Sequence, residues 1–136
     1  DGRSDLAVFR ANGANGAEWW IDRSTAGLLA LQFGSSGDKP VQGDYTGDGR
    51  ADIAFFRPAN GMWFVLRSED NSFFSFPFGT NADIPVPGDY DGDGKFDPAG
   101  FRPSSATWFV NGTTQGTFIT NFGANGDKPV PSAFLP

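Results

Sequence analysis

The sequence predicts an all-β protein built from repeated four-strand units. Three observations carry that prediction. The 136 residues hold nineteen Gly and ten Pro at short intervals, and no ten-residue run combines helical periodicity with freedom from breakers. The apolar residues are rich in aromatics, with fifteen Phe and four Trp, and fall in short alternating runs. Most informatively, a single pattern recurs three times along the chain.

The repeat rests on four markers in constant order. "GDKPVQGDY" (37–45) returns as "ADIPVPGDY" (82–90) and, decayed, as "GDKPVPSAF" (126–134), at steps of 45 and 44 residues. "DGRSDLAVFR" (1–10), "DGRADIAFFR" (48–57) and "DGKFDPAGFR" (93–102) form a second series. "WWI" (19–21), "WFV" (63–65) and "WFV" (108–110) form a third, and Phe-Gly closes each unit at 33–34, 78–79 and 122–123. The units run over about 1–36, 37–81 and 82–125.

Within the second unit the strands are expected at 40–45, 52–57, 63–67 and 72–78. The first two flank an Asp/Gly-rich hairpin, and "PANG" (58–61) is a turn by its composition. Four strands in about 45 residues match a β-propeller blade, giving three blade-equivalents per chain. The first unit lacks its leading strand, while 127–136 supply a leading strand with no blade after it. The expectation is a first blade split between the termini, completed by 127–136 of this chain or of another. Phe55, Trp63, Phe64, Phe76, Phe101, Trp108, Phe109 and Phe122 are expected to pack between neighbouring blades.

The acidic hairpins are the candidate site. In "GDYDGDGKFD" (88–97), Asp89, Asp91, Asp93 and Asp97 occupy positions 1, 3, 5 and 9 of a loop, with the carbonyl of Lys95 at position 7. Alternating oxygen donors on a glycine-rich backbone suit Ca2+, which takes about six to eight oxygen ligands. Four uncompensated carboxylates so close together would repel one another. A hairpin turn held by side-chain-to-backbone bonds is the simpler alternative. The loop is not an EF-hand, because position 12 is Gly100 rather than a bidentate Glu. "GDYTGDGRAD" (43–52) offers Asp44, Thr46, Asp48, Asp52 and the Arg50 carbonyl, with Thr46 in place of an acid. The third copy keeps Asp1 and Asp5 but aligns Ala133 and Leu135 with Asp89 and Asp91, so that site is expected to be empty.

With these residues in view, the chain resembles the FG-GAP repeats of integrin α-chain propellers and their bacterial relatives, which include VCBS-type repeats. The resemblance rests on Phe-Gly followed by "GDKPVQGD" or "ADIPVPGD" and then "DGDG". It implies a structural Ca2+ in the hairpin joining a blade's first two strands. Known propellers have about four to eight blades, so three imply the remainder of a longer propeller or self-association. A strand-exchanged dimer would give six blades with twofold symmetry, and larger assemblies are alternatives.

Charge and composition narrow the function. A net charge of −6 argues against nucleic acid, and the short apolar runs predict neither a membrane span nor a signal peptide. Cysteine and histidine are absent, which removes thiol chemistry, the usual zinc ligand and the usual general base. Outside the acidic loops and a repeated turn acid (Asp38, Asp83, Asp127), the remaining acids are Glu18, Asp22, Glu69 and Asp70. Nothing marks these as a facing catalytic pair, so no enzymatic activity is expected.

The sequence points instead to a calcium-stabilised, secreted or cell-surface module for adhesion, protein interaction or assembly. Millimolar extracellular calcium would fill weak sites. The alternative is a carbohydrate-binding propeller lectin using Glu18, Trp19 and Trp20, which "ANGANGAEWW" (11–20) brings together. Arg10, Arg57 and Arg102 recur after each second strand and are expected to bond carbonyls or an acid of a neighbouring blade. "NGT" (111–113) fits a glycosylation acceptor.

Overall fold

The computed structural model describes residues 2–130. Asp1 and residues 131–136, and with them the expectations for Ala133, Leu135 and the terminal strand, lie outside the described residues. The described residues form three antiparallel sheets and no α-helix. They fall into two compact units, divided between Asp38 and Lys39.

The first unit is a meander of β1 (Leu6–Gly13), β2 (Gly16–Arg23) and β3 (Gly27–Gln32), in the order β1-β2-β3. Cross-strand partners share a face. Phe9, Trp19 and Leu31 therefore line one side, and Val8, Trp20 and Ala30 the other. Trp19 and Ala17 are buried, whereas Leu6, Val8 and Leu28 are largely exposed. Among the described residues no strand pairs with the outer edge of β1.

The second unit contains two four-stranded sheets. One has β4 (Lys39–Pro40), β5 (Ile53–Arg57), β6 (Met62–Leu66) and β7 (Phe73–Pro77) in chain order. The other has β8 (Ile84–Pro85), β9 (Ala99–Arg102), β10 (Thr107–Gly112) and β11 (Gly116–Asn121), with a 3-10 turn at Pro103–Ser105. The leading strands are much shorter than the expected 40–45. Proline has no amide to donate and sits at sheet edges. Pairing through Lys39–Pro40 and Ile84–Pro85 accordingly gives way to single contacts at Val41 and Val86, then to isolated bridges Gly43–Asp52 and Gly88–Asp97.

Ala54, Phe56, Trp63 and Val65 form one core with Val41 and Tyr45. Ala99, Phe101, Val110 and Val86 form its counterpart in the next sheet. Phe122 departs from the expected packing, at 76% exposed.

Each Trp of the third marker locks its own sheet. The indole N–H of Trp19 donates to the Phe33 carbonyl at 2.9 Å, that of Trp63 to Phe78 at 2.8 Å and that of Trp108 to Phe122 at 3.0 Å. The Phe-Gly dipeptide is thus where the last strand is tied to the second long one. The glycine that follows holds positive φ, near +106°, +89° and +99° in the three units. The next amide is then capped by the repeated turn acid: Ser35 donates to Asp38, Thr80 to Asp83 and Ala124 to Asp127.

The recurring arginines were expected to bond carbonyls or an acid of a neighbouring blade; Arg10 and Arg102 instead pair with an acid of their own repeat unit. Arg102 forms a two-pronged pair with buried Asp83, at 2.7 and 3.1 Å, and Arg10 pairs with Glu18 at 3.3 Å. All three also cover the second aromatic of the Trp marker: Arg10 over Trp20, Arg57 over Phe64, Arg102 over Phe109.

Candidate metal centre

The loop 88–97 is closed at its base by reciprocal backbone bonds between Gly88 and Asp97. Asp97 is fully buried beneath it. One of its carboxylate oxygens accepts from the Tyr90 and Asp91 amides, the other from the Thr113 amide at 2.8 Å. Asp89 accepts from the amides of Gly92, Asp93 and Gly94 at 2.7–3.1 Å. Gly92 and Gly94, at φ +76° and +89°, give the left-handed backbone that turns those amides inward. Tyr90 pins the loop to its leading strand through a 2.7 Å bond to the Val86 carbonyl. Burial, then the charge of Asp97, pushes its hydroxyl up to about 12.

Three carboxylates converge. Asp89, Asp91 and Asp97 each present an oxygen within 4.8 Å of the others. That spacing is about twice a Ca–O bond of roughly 2.4 Å, the span of ligands around one ion. Asp91 carries the decisive detail: its Oδ2 accepts from the Thr114 and Gln115 amides, but its Oδ1 is buried with no hydrogen-bond partner. Buried carboxylate oxygens are rarely left so. Asp93 is directed elsewhere, its Oδ2 accepting from the hydroxyls of Thr113 and Thr114 and its Oδ1 from the Lys95 amide. Those hydroxyls, with the Lys95 amide, hold its carboxyl down to about 2.

The loop 43–52 repeats this construction. Buried Asp52 accepts from the Tyr45, Thr46 and Ser68 amides, and Asp44 from the amides of Gly47, Asp48 and Gly49. Asp48 accepts from Arg50 N–H and the Ser68 hydroxyl, and the Arg50 amide is the larger cause of its lowered pKa. Thr46 stands where Asp91 does, and its Oγ1 is likewise buried and unpartnered. The position-3 oxygen is therefore unsatisfied in both loops, whichever residue supplies it. Among the described residues, three carboxylates converge within 4.8 Å only in the loop 88–97.

Ser68, Thr113 and Thr114 belong to these sites, although none stands out by residue type. Each acidic loop is roofed by the turn between its unit's last two strands. The signal was present as spacing. Ser68 and Thr113 each lie sixteen residues beyond the loop's last Asp. In the first unit Ser24 lies nineteen beyond Asp5 and donates to it in the same way.

The family comparison falls on this segment. Residues 44–99, from the first ligand position of one loop past the last of the other, match the family model for an FG-GAP-like repeat. No curated protein and no solved structure matches the chain. FG-GAP repeats are generally non-catalytic and typically extracellular. No helix among the described residues is long and apolar enough to cross a membrane.

The second candidate, Glu18, Trp19 and Trp20, is divided by the sheet. Trp19 is 2% exposed and belongs to the core, with its N–H on Phe33. Glu18 and Trp20 share the opposite face, where Glu18 accepts from the Trp20 indole at 3.0 Å and pairs with Arg10. A shallow depression of about 180 Å3 is lined by Glu18, Trp20, Ala30, Leu31 and Gln32.

Proposed function

We propose that the chain is a segment of an extracellular, calcium-stabilised β-propeller that serves adhesion, protein interaction or assembly, each sheet being one blade. The unpartnered Asp91 Oδ1 and Thr46 Oγ1 carry the calcium part of this proposal. Asp89, Asp91, Asp97 and the Lys95 carbonyl would hold one ion, joined by Asp93 if its carboxylate turns from the Thr113 and Thr114 hydroxyls, and Asp44, Thr46, Asp48, Asp52 and the Arg50 carbonyl would hold a second. The bound ion neutralises the carboxylates and ties each loop to the turn that roofs it. No catalytic role is assigned.

The assembly part is supported by exposed apolar surface. Leu6, Val8 and Leu28 are uncovered in the first unit, and Ile119, Phe122 and Val130 in the second. The edge of β1 lies where β4 and β8 cover the other sheets. A strand from another copy, or from the remainder of a longer propeller, would complete it. A glycan-binding role has less support, because Arg10 lies over the Trp20 ring at 5.2 Å and engages Glu18.

Thermal unfolding with millimolar calcium and after chelation tests the proposal. At about a hundredfold excess over Kd each site adds roughly 2.7 kcal/mol, so Tm should rise by at least about 5 °C. The rise should shrink in Asp91→Ala and vanish in Asp91→Ala/Thr46→Ala. An unchanged Tm would refute the calcium assignment.

A further inference from the structure

Phe96 lies between Lys95 and Asp97 in one acidic loop, yet its contacts are with the other. Its amide donates to the Asp44 carbonyl at 2.7 Å. Its ring meets Tyr45 edge-on, with centroids 6.0 Å apart, and packs on the core beneath Val41 and Tyr45. The ring also occupies the space beside Gly43 so closely that a Cβ there would lie 2.0 Å from Phe96 Cδ2. One residue earlier, the Lys95 stem crosses Gly47, at 3.0–3.1 Å from where its Cβ would stand. The loop 88–97 is thus seated on 43–52 at Gly43, Asp44, Tyr45 and Gly47. This accounts for the glycine that opens "GDY" in the second unit: any side chain would displace Phe96.

We infer that Phe96 couples the two loops, so that an ion held in 88–97 raises the affinity of 43–52. The inference rests on the calcium assignment above. An ion ligated by the Lys95 carbonyl and the Asp97 carboxylate fixes the backbone on both sides of Phe96. Phe96 then presents its N–H and ring in the position that holds the Asp44 peptide and Tyr45. Part of the ordering that 43–52 would undergo on binding is already complete, which is positive coupling without direct contact between the ions. Linkage makes the effect reciprocal. Phe96 acts here as a positioning residue and touches neither ion. Ala51 occupies the equivalent place in 43–52 and has no ring to make such a contact.

Calorimetric calcium titration of the chain tests this. In Asp91→Ala the remaining site is 43–52, and its affinity should be at least about fivefold weaker than the second binding event of the unaltered chain. In Phe96→Ala both loops should still bind, and adding Asp91→Ala should change the affinity of 43–52 by less than about twofold. Phe96→Leu, a milder change, should give intermediate coupling and guards against loss of fold, which far-UV circular dichroism monitors. Two independent sites in the unaltered chain, or coupling of equal size with and without Phe96, would overturn the inference and leave the calcium assignment standing. No binding in any variant would remove both.

Discussion

Trp63→Phe and Trp108→Phe remove the same hydrogen bond from two copies of one sheet, and should differ in cost because burial differs. Trp63 is 1% exposed and packs between Phe56 and Phe76, with centroids at 5.4 and 6.1 Å. Its loss leaves the Phe78 carbonyl without its donor inside the sheet, at about 1–3 kcal/mol. The smaller ring also leaves a gap of roughly 40 Å3, which at about 24 cal/mol per Å3 adds about 1 kcal/mol. Trp108 is only half-buried, and its bond to Phe122 lies at the surface, where water can replace the indole. About 0.5–1 kcal/mol is expected there. Urea unfolding in calcium, followed by far-UV circular dichroism, should place Trp63→Phe about 2–4 kcal/mol below the unaltered chain and at least about 1 kcal/mol below Trp108→Phe. Equal costs, or a greater cost at Trp108, would refute the assignment of the Trp–Phe carbonyl bond as a burial-dependent lock.

Gly61→Ala should destabilise the chain by at least about 2 kcal/mol in the same assay, since its Cβ would lie 2.4 Å from the Gly79 carbonyl oxygen at a φ of +68°. Asp83→Ala should cost about 2 kcal/mol by leaving the Thr80 amide and Arg102 without their acceptor, a moderate figure because Arg102 is 31% exposed. The Asp93 carboxyl should titrate near about 2 by NMR in calcium-free buffer. Its pKa is depressed on folding, so the stability it contributes is present above about 4 and lost as pH falls towards 2. Thr113→Val/Thr114→Val should return the midpoint towards the ordinary carboxylate range; a midpoint already there in the unaltered chain would dismiss the hydroxyl clamp.

The long strands and the acidic hairpins were legible because aromatic alternation and glycine-aspartate spacing are local properties. The sequence was less informative wherever a partner lay far along the chain. Asp93 falls at an alternating donor position, yet its carboxylate is drawn to Thr113, twenty residues away. Phe96 is given no role by the sequence pattern, and its place is set by Gly43 in the preceding repeat. Trp19 and Trp20 are neighbours in sequence, and the period-2 geometry of β2 sends them to opposite faces. The short leading strands follow from Pro40 and Pro85, whose effect on ladder length the repeat alone did not reveal. The unpartnered oxygens at Thr46 and Asp91 could be found only once the surrounding amides were placed.

Native mass spectrometry in calcium-containing buffer, repeated after chelation, is the most direct test of what the acidic loops are for. It counts ions and chains in one spectrum. Two calcium ions per chain are predicted, falling to one in Asp91→Ala and to none after chelation. A chain that carries no calcium in any assembly would reduce both loops to Asp/Gly hairpins held by their own backbone amides.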